Sequence, residues 1–137
     1  MYCPRLDHFI RLNQNGSIGK CGHMTETMEF KSVGELEDSK WLQDIKDTMS
    51  QDKWPEQCVR CQETEAVSGE SIRTKSIERH KILQPINKDY LVVGGVLDNI
   101  CNSACQSCNS FLSTKIGSLE SKNYTKVDNT DVFWSLP

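Results

Sequence analysis

Apolar residues are scarce in this chain. They make up 36% of 137 residues, which is low for a domain that must bury a full core and calls for a second source of stability. Long hydrophobic runs are missing too. The longest, around Tyr90 to Leu97, is far too short to cross a bilayer, which argues against a membrane-spanning helix. Neither sign of charge dominates, since 16 Lys and Arg stand against 19 Asp and Glu, for a net charge of -3. That balance, with a pI near 5.6, argues against a nucleic-acid binder. The basic cluster Arg73, Lys75, Arg79, His80 and Lys81 is modest. The start "MYCPRLDHFIRL" has no charged leader, long apolar middle or small-residue cleavage site. A cytoplasmic, reducing environment is therefore expected, and disulfides are not.

Cysteine, by contrast, is plentiful. Seven is an odd number and more than an ordinary cytosolic core uses, so metal binding is the leading explanation. Their placement follows from the elements around them. "HFIRLNQNGSIGKCG" reads as a β-hairpin turning at Asn15-Gly16, a dipeptide that accepts positive φ, and this brings Cys3 and Cys21 to neighbouring strand regions. "DSKWLQDIKDTMS" sets Trp41, Leu42, Ile45 and Met49 at helical spacing behind Asp38 or Ser39 as cap, a core-facing amphipathic helix over 38–50. Pro55 opens a second helix between Pro55 and Gln57, with Cys58 and Cys61 one turn apart on one face. Gly69 interrupts that helix, "ESIRTKSIERHKIL" resumes it, and Gln84-Pro85-Ile86-Asn87-Lys88 reads as a linker. "DYLVVGGVLDN" reads as a strand ending at Asp98-Asn99. "NSFLSTKIGSLES" places Phe111, Leu112, Ile116 and Leu119 on one side of a helix, and the polar tail that follows has no strong pattern.

The linker divides the cysteines into two sets. Cys3, Cys21, Cys58 and Cys61 lie before it and complete a four-thiolate site, which suits either zinc or an iron–sulfur cluster. Cys101, Cys105 and Cys108, spaced C-x3-C-x2-C in the loop after the strand, are one ligand short of closure. A cubane cluster held by three thiolates keeps one iron open to a substrate or cofactor. His8, His23 and His80 read as surface or hydrogen-bonded residues, His23 being nearest to a cysteine. Arg73 and Lys75 read as solvated charges.

"CNSACQSC" resembles the signature of radical S-adenosylmethionine (radical SAM) enzymes, placed as in that family after the first barrel strand. The segments "CPRLDHFIRLNQNGSIGKC", "SKWLQDIKD" and "WPEQCVRCQETEAVSGESIR" resemble the auxiliary-cluster domain called SPASM or twitch, here preceding the radical SAM signature. The resemblance covers roughly residues 2 to 119. It implies that Cys101, Cys105 and Cys108 hold a catalytic 4Fe-4S cluster whose open iron chelates S-adenosylmethionine, and that reductive cleavage then yields a 5′-deoxyadenosyl radical. It also implies an auxiliary 4Fe-4S cluster on Cys3, Cys21, Cys58 and Cys61, with zinc as the alternative there. The implied partner is a reductant such as a flavodoxin or ferredoxin.

The expected fold is therefore α+β. Residues 1–83 form a small hairpin-plus-helices auxiliary-cluster domain, 84–88 a linker, and 89–137 the first strand, loop and helix of an incomplete α/β radical SAM partial barrel. About five further βα units of roughly thirty residues would be needed to finish that barrel, so radical chemistry is expected of a complete protein and not of this chain alone. The unfinished barrel would leave the strand at Leu91 to Val96 exposed, to be covered by a partner or a second copy. The competing reading is a small zinc or iron–sulfur module serving electron transfer or protein interaction without radical catalysis.

Overall fold

Asn15-Gly16 turns the chain where expected. In the computed structural model, which describes residues 1–98, 113–119 and 127–137, strands β1 (Phe9–Leu12) and β2 (Ile18–Gly19) flank that turn. Gly16 has φ +81°, a conformation that only glycine adopts without strain. A short helix, α1 (Arg5–His8), leads into β1. Beyond β2 the chain forms an isolated antiparallel bridge between Ile18 and Phe30. Two helices follow, α2 (Val33–Glu37) and α3 (Lys40–Ser50). Each has a serine N-cap: Ser32 accepts from the Glu35 amide and Ser39 from the Leu42 amide. The periodicity expected of α3 is observed, with Leu42, Ile45 and Met49 buried; Trp41 is half-buried.

A 3-10 turn (Glu56–Cys58) behind Pro55 starts α4 (Val59–Ser68). Gly69, at φ +72°, ends that helix in the left-handed conformation. Helix α5 (Ile72–Leu83) then begins on a reciprocal capping box between Ser71 and Thr74. Neither α4 nor α5 has a buried residue, so something other than a core stripe must hold them. Residues 84–88 lie in the turn and loop that lead from α5 to β3 (Val92–Gly95). The sheet order is β2-β1-β3. The expected strand thus exists at the edge of this sheet, one side of it paired with the hairpin strand β1, a long-range partnership that no local pattern announces. Further on are α6 (Thr114–Leu119) and α7 (Thr130–Trp134), the latter in the tail that carries no periodic signal. Ile116 is buried and Leu119 exposed, while Phe111 and Leu112 lie outside the described residues.

The architecture is α+β, and the chain divides into two compact units, residues 1–11 with 18–94, and residues 12–17 with 95–137. In the first, Leu6, Ile10, Ile18, Leu36, Leu42 and Met49 supply much of the apolar core. A polar chain joins its elements: the buried Lys20 ammonium donates to Glu37 at 2.6 Å, and Lys46 reaches Asp7 at 2.9 Å and Glu37 at 3.6 Å. Burial pulls the Lys20 ammonium below its ordinary value, and the Glu37 carboxylate opposes that shift. In the second unit Asn129 is buried and ties three segments, its side-chain amide donating to the carbonyls of Asn13 (2.8 Å) and Val96 (2.6 Å) while its backbone N–H donates to Leu97 O (2.6 Å). Among the described residues no helix is long and apolar enough to cross a membrane.

Gly94 and Gly95 have local reasons to lack a side chain. A Cβ on Gly94 would stand 2.9 Å from the Phe9 ring, and one on Gly95, at φ +101°, would stand 2.1 Å from Leu12 O. Gly34, inside α2, has open space around it. Gly95→Ala is therefore expected to destabilise the protein by at least about 2 kcal/mol, whereas Gly34→Ala stabilises it by about 0.5–1 kcal/mol. Urea denaturation of the two variants checks the opposite signs.

Candidate metal centre

Cys3, Cys21, Cys58 and Cys61 come from three separated stretches of chain, and all four line one pocket. Each is placed by a local turn. Cys3 sits immediately before the Pro4 cap of α1, its carbonyl accepting from the Leu6 amide at 3.0 Å. Cys21 follows β2 and opens a turn closed by the Met24 amide at 3.3 Å. Cys58 ends the 3-10 turn, its amide bonded to Pro55 O at 2.9 Å, and Cys61 follows in the first turn of α4. The C-x2-C spacing across a helix start is what aims both thiols to one side.

The pocket encloses about 360 Å³ of empty space, part of it open to solvent. Leu6, Met24, Met49, Trp54 and Ile72 give it an apolar wall, and Arg5 and Arg73 bring two cations to it. His23, exposed, reaches its rim. All four cysteines are free thiols. Burial pushes the Cys3 thiol up to about 11, with the charges of Cys21 and Cys61 adding to the shift. Burial likewise pushes Cys58 up to about 12, reinforced by Cys3, Cys61 and Cys21. The mutual influence means that the four sulfurs share one electrostatic neighbourhood; without a cation among them Cys3 and Cys58 stay protonated at neutral pH.

Two arginines supply positive charge. The Arg5 Nε donates to Cys21 Sγ at 3.2 Å, its guanidinium lies 3.7 Å above the Phe9 ring, and its backbone N–H bonds the Cys3 thiol. Arg73 grips Glu65 with both edges of its fork, Nε to Oε1 at 2.9 Å and Nη2 to Oε2 at 2.5 Å, while Nη1 donates to Tyr2 O at 2.9 Å. It also faces the Trp54 ring at 5.2 Å. Arg73 is thus not the solvated charge that the sequence suggests: it links α5, α4 and the residue before Cys3. The partners lie 8 and 71 positions away, beyond the reach of any local pattern. Lys75 is exposed as expected.

Among the described residues no three His, Cys, Asp or Glu side chains converge closely enough to hold one metal ion. Four thiolates suit either a zinc ion, which takes all four, or a four-iron cluster, which takes one at each iron. The second set, Cys101, Cys105 and Cys108, lies outside the described residues, between β3 and α6.

The Arg73 hydrogen bonds hold the Glu65 carboxyl below its ordinary value of 4.5, against the opposing effect of burial. A depressed carboxyl contributes stability above its unfolded pKa and loses it as pH falls through the folded one. Glu65→Gln is therefore expected to lower stability at pH 7, with the deficit relative to wild type shrinking as pH falls below about 4.5. Urea unfolding across that range measures it. No protein-family model, no curated protein and no solved structure matches the chain.

Proposed function

We propose that the chain is an iron–sulfur protein of the radical SAM type. In this reading Cys3, Cys21, Cys58 and Cys61 hold an auxiliary 4Fe-4S cluster, and Cys101, Cys105 and Cys108 hold a second one that binds S-adenosylmethionine when the barrel is completed. The observation that carries the first assignment is the meeting of four thiols, from residues as far apart as Cys3 and Cys61, around one apolar-walled pocket. Four thiolates suit a cluster or a zinc ion, and the cluster is preferred because of the three-cysteine set that follows in the same chain. The second assignment rests on the C-x3-C-x2-C spacing and its place after β3.

A cluster in the four-thiol pocket would supply one-electron transfer. The chain's own residues set its surroundings. Leu6, Met24, Met49 and Trp54 give it an apolar wall, Arg5 donates a hydrogen bond to the Cys21 sulfur, and Arg73 offsets negative charge brought by thiolates. Hydrogen bonds to cluster sulfurs and low polarity are two of the means by which a protein adjusts the potential of such a centre.

The test is iron, zinc and acid-labile sulfide analysis of the full chain after anaerobic reconstitution. About eight iron and eight sulfide per chain are expected, falling to about four of each both in a Cys58→Ala/Cys61→Ala variant and in a Cys101→Ala/Cys105→Ala/Cys108→Ala variant. About one zinc without sulfide would overturn the proposal and leave a structural zinc module.

A further inference from the structure

Beside the thiol pocket the first unit has another, an open one with about 240 Å³ of empty space, part of it solvent, lined by Arg5, His8, Phe9, Ser76, Arg79 and Tyr90 together with Pro4 and Val92. Its lining includes two arginines and a histidine and no carboxylate. The chain as a whole has more acidic than basic residues, so an acid-free basic pocket departs from the average surface. Among the described residues neither Arg5 nor Arg79 forms an ion pair with a carboxylate. Arg5 commits its Nε to Cys21, which leaves the four N–H donors of Nη1 and Nη2.

The wall of this pocket is fixed in advance. The Tyr90 ring stacks on the His8 imidazole with centroids 4.3 Å apart and planes 12° apart. The Tyr90 hydroxyl bonds His80 Nδ1 at 2.8 Å, and His8 Nδ1 bonds the Tyr90 carbonyl at 3.0 Å. A pocket that needs no rearrangement loses less entropy on binding. Ser76 is not among the donors, because its hydroxyl already donates to Ile72 O at 2.6 Å. A space of this size, part of it open to solvent, suits a small group and not a polymer.

We propose that this pocket binds a small oxyanion, the phosphate or carboxylate group of a small molecule, between the guanidinium groups of Arg5 and Arg79 and against the wall of Tyr90 and His8. Planar guanidinium forks match either anion through paired, charge-assisted hydrogen bonds. Arg5 is the shared wall of the two pockets, so an anion held there lies one side chain away from Cys21. Arg79 is exposed and lines only the anion pocket among the pockets of this unit described above, which makes it the residue to change.

The test is titration of the 15N-labelled full chain with inorganic phosphate and, separately, with acetate at constant ionic strength, followed by amide and arginine Nε shifts. Saturable binding of at least one probe is expected. It should be weakened at least about tenfold in Arg79→Gln, through loss of a charge-assisted contact, and be unchanged in Lys75→Gln, a neighbouring exposed cation on α5 that does not line the pocket. The probe bound more tightly identifies the oxyanion. Saturation by neither probe, a smaller loss in Arg79→Gln, or an equal loss in Lys75→Gln would overturn the proposal. The titration needs no metal, so its failure and the failure of the cluster assignment are separate outcomes.

Discussion

The constraint on which the first unit depends is the convergence of four buried or half-buried thiols on one pocket. On one side of that pocket lies an ordinary apolar core, built by the hairpin and by the Leu42, Ile45 and Met49 face of α3. On the other side stand α4 and α5, which have no buried residue of their own. Those two helices are instead fastened by Arg73, through Glu65 on α4 and Tyr2 beside Cys3. A chain with a small apolar share thereby replaces part of a core with a polar clamp.

Charge completes the arrangement. Thiolates in an apolar pocket are costly, as the raised values of Cys3 and Cys58 show. Arg5 and Arg73 stand where positive charge lowers that cost, one by a direct N–H···S bond and the other at the pocket's edge. Neither arginine is replaceable by lysine in these roles. Arg73 spends Nε and Nη2 on Glu65 and Nη1 on Tyr2 O, and Arg5 lies over the Phe9 ring while donating to sulfur.

Much of the scaffold was legible in the sequence because its signals are local. Asn15-Gly16 dictates a tight turn, the 3.6-residue period from Trp41 to Met49 dictates α3, and Pro55 and Gly69 punctuate α4. The grouping of Cys3, Cys21, Cys58 and Cys61 was legible once the hairpin and the helix start were placed, and the structure brings these four to one pocket. What stayed hidden depends on partners distant in sequence. Arg73 looks like a surface charge until Glu65 and Tyr2 fold beside it, and the pairing of β3 with β1 is settled by tertiary contacts. Helix α7 has too few apolar residues at helical spacing to show in a polar tail. Cys101, Cys105 and Cys108 lie outside the described residues, so their part of the reading rests on spacing alone.

The measurement that tests the central claim most directly is amide hydrogen exchange of the full chain before and after anaerobic reconstitution with iron and sulfide. If the four-thiol centre fastens the first unit, then α4, α5 and the turns carrying Cys3 and Cys21 exchange through local opening in the metal-free chain and become strongly protected on loading, while α3 changes little. Equal protection of α4 and α5 in both states would contradict the account, because it would mean that the Arg73 clamp and the small core hold these helices without any help from the centre.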